Sequence, residues 1–284
     1  MSNPEKLLAG KVSVITGGSM GIGRAIAKAF LDEGSHCVLA ARSEQALAAT
    51  VEELAAIGPQ VRPFPTDVAA EEAVRSLIDF TLEEFGAINI LVNCAGIYGP
   101  IGLSTDVDIG EWWETVEINL RGTYLCTRLA VQAMIQQGTG GKIINLAGGG
   151  AASAFPRFSA YAVSKAAVVR LTETLAEETK EYGIDMNVIA PGGVNTRLLD
   201  QVMEAGEAAG KAHMERSLRQ KREGGVPPER AAELAVFLAS SQSDGLSGKF
   251  LSAVWDDWRS LPGRIPEVMS SDVYTLRRVT PPES

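Results

Sequence analysis

Tyr161 and Lys165, in the run SAYAVSKAA, stand four residues apart. On a helix that spacing puts both side chains on one face. A phenol titrates near ~10, too high for easy proton exchange at neutral pH. An ammonium one turn away favours the phenolate and lowers that pKa. The pair therefore reads as a tuned proton donor and acceptor. Taken alone it is a weak signal, because Tyr and Lys at this spacing also occur as ordinary surface pairs.

The element that could set a cofactor beside this pair lies near the N-terminus, in KVSVITGGSMGIGRAIAKAF. Lys11 to Thr16 is a short β-branched run that suits a buried strand. Gly17, Gly21 and Gly23 follow, and Ile22 to Phe30 has helical periodicity. A glycine-rich turn between strand and helix lets backbone approach a pyrophosphate and aims a helix N-terminus at it. Gly17, Ser19, Met20, Gly21 and Ile22 are the candidate contacts. The spacing is G-x-x-x-G-x-G, not the commoner G-x-G-x-x-G. A plain tight turn is the alternative.

Further runs follow in order: Asp67-Val68, NCAG (Asn93 to Gly96), Asn119 in EINLRGTY, and PGGVNT (Pro191 to Thr196). With TGGSMGIG and Tyr161-x-x-x-Lys165, this series resembles the short-chain dehydrogenase/reductase family, including its 3-oxoacyl-ACP reductase-like members. The resemblance covers roughly residues 8–254. It implies hydride transfer between a nicotinamide cofactor and a secondary alcohol or ketone. Tyr161 would be the general acid/base. Lys165 would tune it and hold the nicotinamide ribose, and Asn119 would hold a water that links Lys165 to solvent. Asp67 would accept from the adenine amino group, with Val68 packing nearby. Asn93, Ala95 and Gly96 would brace the central strand and admit the ribose. Pro191, Gly192, Val194 and Thr196 would flank the nicotinamide, with Thr196 on its amide.

Cofactor choice falls at the end of the second strand, in HCVLAARSEQ. NAD enzymes of this type place an acid there for the ribose 2′-hydroxyl. This chain has Ala41 and then Arg42, and an arginine pairs with a 2′-phosphate. NADP is therefore expected, with NAD possible, since Met20 stands where NADP-preferring members often carry a base. The alternative for Arg42 is a solvated loop cation.

One departure concerns chemistry directly. The family places a catalytic serine thirteen residues before the tyrosine, and here that position is Gly148, in NLAGGGAAS. Loss of one donor at a developing oxyanion costs on the order of 10²–10³ in rate. Ser153 could swing in, the N–H groups of Gly148 to Gly150 could form a small donor nest, or the site could be weak. Substitution by loop donors is the reading preferred, because the Asn-Tyr-Lys set is otherwise complete. Three glycines also make room for a substrate bulky near the reacting carbon.

Strand and helix signals alternate along the chain, which argues for an α/β fold with a doubly wound parallel sheet of Rossmann type. Strands are expected near 11–16, 36–40, 60–65, 88–93, 142–146, 185–190 and 249–254. Ser43 should cap a helix that Gly58 ends, and Gly86 should end another that starts at Glu71. Residues 108–137 and 159–182 read as long helical regions, and Pro227-Pro228 start one more. Residues 197–226 read as polar and irregular, and the resemblance makes them a mobile lid; a surface helical hairpin is the alternative, and the two are compatible. Residues 1–254 form the cofactor-binding and catalytic domain, followed by a C-terminal extension, 255–284. In that extension Trp255 and Trp258 could share one face, with Asp256 and Asp257 as acceptors. A site for a polyhydroxylated substrate such as a sugar is one reading, and a core cap or interface is the other. The final PPES is expected to be disordered.

Composition narrows the class. The chain has 284 residues, 45% of them hydrophobic, and a net charge of −9. That suits one large core and argues against a nucleic-acid surface. No apolar stretch reaches membrane length, and MSNPEK does not read as a signal peptide. A cytoplasmic location follows as an expectation. Cys37, Cys94 and Cys126 have neither disulfide nor zinc spacing, and two isolated histidines, His36 and His213, give no metal cluster. The resemblance implies a homotetramer or homodimer built partly through the long helices. Two other functions stay open: a cofactor-binding sensor or scaffold with weak or lost catalysis, and an epimerase that uses its cofactor transiently.

Overall fold

Seven short runs rich in Val, Ile and Leu become strands: β1 (Val12–Thr16), β2 (His36–Ala41), β3 (Val61–Pro65), β4 (Ile90–Asn93), β5 (Gly141–Leu146), β6 (Ile184–Ala190) and β7 (Lys249–Ser252). They match the seven expected from the sequence. A computed structural model describes residues 6–57 and 60–279. All strands are parallel, in the order β3-β2-β1-β4-β5-β6-β7. Alternate residues feed two cores. Ile15, Leu39 and Val92 face one, with Phe30 and Leu234, while Val14, Val38 and Leu91 face the other, with Leu77 and Leu129. Burial on both faces explains why these strands read as continuous apolar runs.

Helices α1 (Gly21–Asp32), α2 (Glu44–Ala55) and α3 (Glu71–Phe85) join the first strands. Ser43 caps α2 by accepting from the Ala46 N–H at 3.2 Å. The expected stop at Gly58 lies outside the described residues. Gly86 ends α3 in the left-handed region, φ 77°, where a glycine has no Cβ to strain.

Residues 108–137 are a helical region, as expected, but not one regular helix. They form α4 (Ile109–Val116), a π turn (Glu117–Arg121) and α5 (Gly122–Gln137). The inserted turn carries Asn119, whose side chain is tied to the loop after β4 (below). After α6 (Ser159–Thr179), residues 197–226 take the alternative form expected of them and are not irregular. They fold as a helical hairpin, α7 (Arg197–Ala205) and α8 (Lys211–Glu223). Glycines at both bends had masked two short amphipathic segments.

After α9 (Glu229–Ala239) and β7, the chain turns through Trp258–Gly263 into α10 (Ile265–Met269). Trp255 and Trp258 do not share a face. Trp255 is 85% exposed, whereas Trp258 is buried among the core residues and its ring stacks on Phe237 at 5.7 Å. Asp256 accepts from the Ser252 N–H at 2.6 Å and so caps the end of β7. Residues 271–277 then run along the sheet edge. The Phe250 N–H donates to the Tyr274 carbonyl at 2.7 Å, and the Lys249 ammonium bridges the carbonyls of Ser271 and Val273. This strap covers an edge strand that would otherwise offer free backbone groups. The final PPES lies outside the described residues.

The extension is thus built into the main core. Trp258→Ala is expected to lower unfolding free energy by about 3–5 kcal/mol, the usual range for a buried aromatic. Urea unfolding measures it. A loss under about 1 kcal/mol would mean that the segment merely rests on the surface.

Candidate active site

The strand order reverses between β1 and β4, which opens a crevice at their C-terminal ends. Thr16 closes its base. Its hydroxyl accepts from the N–H groups of Cys94 (3.1 Å) and Ala95 (3.2 Å). Gly17 and Gly23 have no room for side chains: a Cβ at Gly17 would lie 2.9 Å from the Ala95 nitrogen, and one at Gly23 would lie 2.3 Å from the Gly17 carbonyl oxygen. The turn is therefore compact, and α1 starts with no side-chain cap at Met20. Its first N–H groups remain for an anion. Thr196 approaches Gly21 from across the crevice.

Asn119, Tyr161 and Lys165 meet beside this turn. Asn119 Oδ1 accepts from the Ile97 N–H at 2.9 Å, and Nδ2 donates to the Ile97 carbonyl (2.9 Å) and to Ser164 Oγ (3.0 Å). Ser164 in turn donates to the Tyr161 carbonyl at 2.8 Å. The Asn119 amide therefore locks the loop after β4 onto α6. Lys165 Nζ donates to the Leu146 carbonyl at 2.8 Å. It stands 5.8 Å from the Tyr161 ring centroid.

A cavity of about 290 Å³ opens over these groups. Tyr161, Lys165, Gly96 and Gly148 line one side. The hairpin supplies the other: Leu199 and Val202 from α7, and His213, Arg216 and Gln220 from α8. Phe155 closes a third side, and its ring meets that of His213 at 5.1 Å. No acidic side chain lines the cavity.

A family model described as short chain dehydrogenase matches residues 11–207. The chain is 35% identical over 249 residues to 3beta-hydroxysteroid dehydrogenase 2 of Eggerthella lenta, covering 87% of this chain and 94% of that one. This chain belongs to the short-chain dehydrogenase/reductase family. The short-chain reductase protein NovJ of Streptomyces niveus is also 35% identical, over 84% of this chain and 90% of its own. Among solved structures, an NAD+-bound xylitol dehydrogenase superposes with a TM-score of 0.81 at 27% identity, over 86% of this chain and 98% of that one. Family membership makes the protein an oxidoreductase of hydroxyl or keto substrates.

The other residues that the family resemblance singled out fall in three places. Ile22, Gly96, Pro191, Gly192, Val194 and Thr196 line the cavity with Tyr161 and Lys165. Arg42 and Asp67 are exposed at the ends of β2 and β3. Arg42 has no partner among the described residues, whereas Asp67 Oδ1 accepts from the Ala69 N–H at 3.0 Å. Val68 packs against Gly122, where a Cβ would lie 2.7 Å from its Cγ2. Gly17, Ser19, Met20, Gly21 and Ala95 form the turn and its neighbouring loop. Asn93 faces inward and braces the sheet: its Nδ2 donates to Thr127 Oγ1 (3.0 Å) and Asn145 Oδ1 (2.8 Å).

Three readings of the missing serine can be compared with the packing. Ser153 is exposed and outside the cavity. Gly149 lies under the Phe155 ring, and Gly150 packs against Ala162. Most telling, a Cβ on Gly148 would sit 2.0 Å from the Tyr161 hydroxyl. Residue 148 lacks space as well as a hydroxyl. Trp255, Asp256, Asp257 and Trp258 do not line the cavity of their own chain.

The electrostatics also differ from the expectation drawn from spacing. The Tyr161 pKa is raised, not lowered, first by burial and then by the neighbouring Tyr98 and Cys94. Burial wins because the Lys165 ammonium is directed at the Leu146 carbonyl and is itself desolvated. Its own pKa is pulled down to about 8, against a smaller opposing effect of Cys94. Burial lifts the Cys94 thiol to about 11, so it stays protonated. Among the described residues no group of three or more His, Cys, Asp or Glu could hold a metal.

Sequence reasoning missed Tyr98, Phe155 and the inward face of α8. The α8 face had one signal: His213, Ser217 and Gln220 follow helical spacing and are all polar.

The Lys165 shift has a stability consequence. Below pH ~8 both folded and unfolded states carry the proton, and the burial penalty is fully present. Between about 8 and ~10.4 the unfolded state binds more protons, so stability rises with pH. Relative to Lys165→Met, the wild type should therefore gain up to about 3 kcal/mol between pH 7 and pH 10.5. Parallel urea titrations across that range test this. A constant difference would show that Lys165 is not desolvated.

Proposed function

We propose that this protein interconverts a secondary alcohol and a ketone with a nicotinamide cofactor, NADP in preference to NAD. The observation that carries the reading is the meeting of Tyr161 and Lys165 in one cavity at the mouth of the glycine-rich turn, with Asn119 buried behind them and bonded to Ser164 of the same helix. The bound nicotinamide supplies a hydride acceptor or donor. Tyr161 exchanges the proton with the substrate oxygen. Lys165 holds the ribose beneath it, and Asn119 positions the pair and serves the proton relay. Burial keeps Tyr161 protonated at neutral pH, the state that gives a proton to a carbonyl oxygen.

The relatives named above act, by their names, on a steroid hydroxyl and on a polyol. The shared chemistry is a secondary alcohol. The apolar wall of Leu199, Val202 and Phe155 favours a ring-bearing, bulky substrate over a sugar. With Trp255 to Trp258 outside the cavity of their own chain, the sugar reading loses its main support. The α7–α8 hairpin acts as the lid. Arg42, exposed and unpaired among the described residues, supports the NADP preference. Exposed apolar side chains on α4 to α6, including Trp113, Tyr124 and Val163, support assembly of a homodimer or homotetramer through these helices. A cytoplasmic location completes the reading.

Absorbance of the reduced cofactor tests it, across steroid and other cyclic alcohols and ketones, β-ketoesters and sugars. Turnover is expected with at least one ring-bearing substrate, and Tyr161→Phe should reduce it by on the order of 10²–10⁴-fold. Tight NADPH binding with no turnover on the whole panel would favour a cofactor-binding sensor instead. In a second experiment, Arg42→Ala should lower kcat/KM with NADP by about 10- to 100-fold, the worth of a charge-assisted contact. It should leave NAD nearly unaffected. Equal losses with both cofactors would remove Arg42 from phosphate recognition.

A further inference from the structure

The cavity holds two phenols, and the reading above uses only one. Tyr98 lies just beyond Gly96, on the loop that Asn119 locks in place. Its ring meets Tyr161 edge-on, with centroids 4.6 Å apart, and meets Phe158 at 5.2 Å. It lines the same cavity as Tyr161 and Lys165. Its hydroxyl has no hydrogen-bond partner among the described residues. Tyr98 is half-buried and its hydroxyl is not among the fully buried unpaired atoms, so the donor is open to the cavity and a ligand oxygen can take the place of water there. Burial also raises its pKa, so it remains a neutral donor.

The usual source of a second donor is closed. A side chain at Gly148 would collide with the Tyr161 hydroxyl at 2.0 Å, and with its Cζ at 2.8 Å. Phe155 and Ala162 leave no room for a side chain at Gly149 or Gly150 either. Ser153 faces solvent.

We propose that Tyr98 is a second catalytic hydroxyl, donating to the reacting oxygen of the substrate in place of the absent serine. The proposal rests on the oxidoreductase reading. In the reductive direction Tyr161 would give its proton to the carbonyl oxygen of the substrate, while a bound nicotinamide would supply the hydride to the carbonyl carbon. Tyr98 keeps its own proton throughout and stabilises the partial negative charge on that oxygen. The same contact operates in reverse during alcohol oxidation, which starts from Tyr161 after its proton has left through the relay. Because the oxygen gains charge only on the way to the transition state, the contact should act on kcat more than on KM.

Tyr98→Phe removes the hydroxyl and keeps the ring. On the substrate that wild type turns over best, kcat should fall by on the order of 10²-fold. KM should stay within threefold, and NADPH affinity, read from fluorescence quenching, should be unchanged. The last readout shows that the variant is folded. Gly148→Ser should lower the melting temperature without raising turnover, alone or combined with Tyr98→Phe. Full kcat in Tyr98→Phe would overturn the proposal and leave the oxidoreductase reading standing. So would a tenfold gain from Gly148→Ser in either background. Silence of the wild type across the panel would sink both readings together.

Discussion

Four buried side chains, Thr127, Asn93, Asn145 and Thr172, form a chain of hydrogen bonds through the middle of the molecule. Asn93 Nδ2 reaches Thr127 and Asn145, and Asn145 Nδ2 reaches Thr172 at 2.8 Å. Two of the four sit on the central strands β4 and β5, and the other two on α5 and α6. Buried amides are costly unless paired; apart from Asn93 Oδ1, which has no partner among the described residues, the amide groups of this network are paired, and such a network admits few alternative arrangements. This chain thus sets where the two long helices stand against the sheet. Asn119 lies one turn before α5, and Tyr161 and Lys165 lie in the first turns of α6. The groups proposed to handle the proton are placed by polar bonds in the core, about two turns or more away along each helix. The same constraint explains the π turn. With α5 held by Thr127 and Asn119 held by Ile97, one extra residue is accommodated in the helix between them.

Burial then decides the electrostatics. Tyr161 and Lys165 share a face as their spacing requires, yet the ammonium does not bring the phenol down. Its strongest contact is the Leu146 carbonyl, a neutral dipole that satisfies Nζ without cancelling its charge. Both groups therefore shift toward their neutral forms, the phenol upward and the amine downward. A cavity whose lining holds no acid but holds Arg216 and, below pH about 8, a protonated Lys165 is prepared for a partner that brings negative charge. That is the electrostatic counterpart of the uncapped N-terminus of α1 on the same crevice.

Much of this was legible in the sequence, for identifiable reasons. A parallel sheet buried on both faces leaves strands as plain β-branched runs, so all seven could be located without periodicity. The glycine turn was legible because close backbone approach excludes side chains at Gly17 and Gly23, and both fall within one short segment. Tyr161 and Lys165 were legible because helical spacing is local. What stayed hidden is what depends on distant partners. The π turn comes from Asn119 reaching back to Ile97. The inward face of α8 is polar, so it reads as an ordinary solvated helix until α7 and Phe155 are seen to enclose it. Trp255 and Trp258 looked equivalent at three residues apart, but only Trp258 meets Phe237. The direction of the Tyr161 shift was misread for the same reason: spacing reports proximity, not solvent access.

Gly148 shows why a departure from a motif needs its volume examined as well as its chemistry. In the sequence it is a deleted hydroxyl, and the natural inference is lost catalysis. In the structure it is a vacancy already filled, because the Tyr161 hydroxyl lies where a side chain would begin. The glycine and the tyrosine position are therefore coupled, and neither can be altered independently without a steric consequence. The aromatic rings around Tyr161 complete the coupling. Tyr98 meets its edge, Phe155 flanks it, and Phe158 stacks on Phe155 with centroids 4.4 Å apart. A phenol held on this many sides has lost most of its rotamer freedom before any substrate arrives, and that loss is met by folding, not by binding. Preorganisation of this kind is what a donor needs in order to favour a transition state over a ground state. The missing serine is thus better understood as one part of a rearranged aromatic site than as a defect in an otherwise ordinary one.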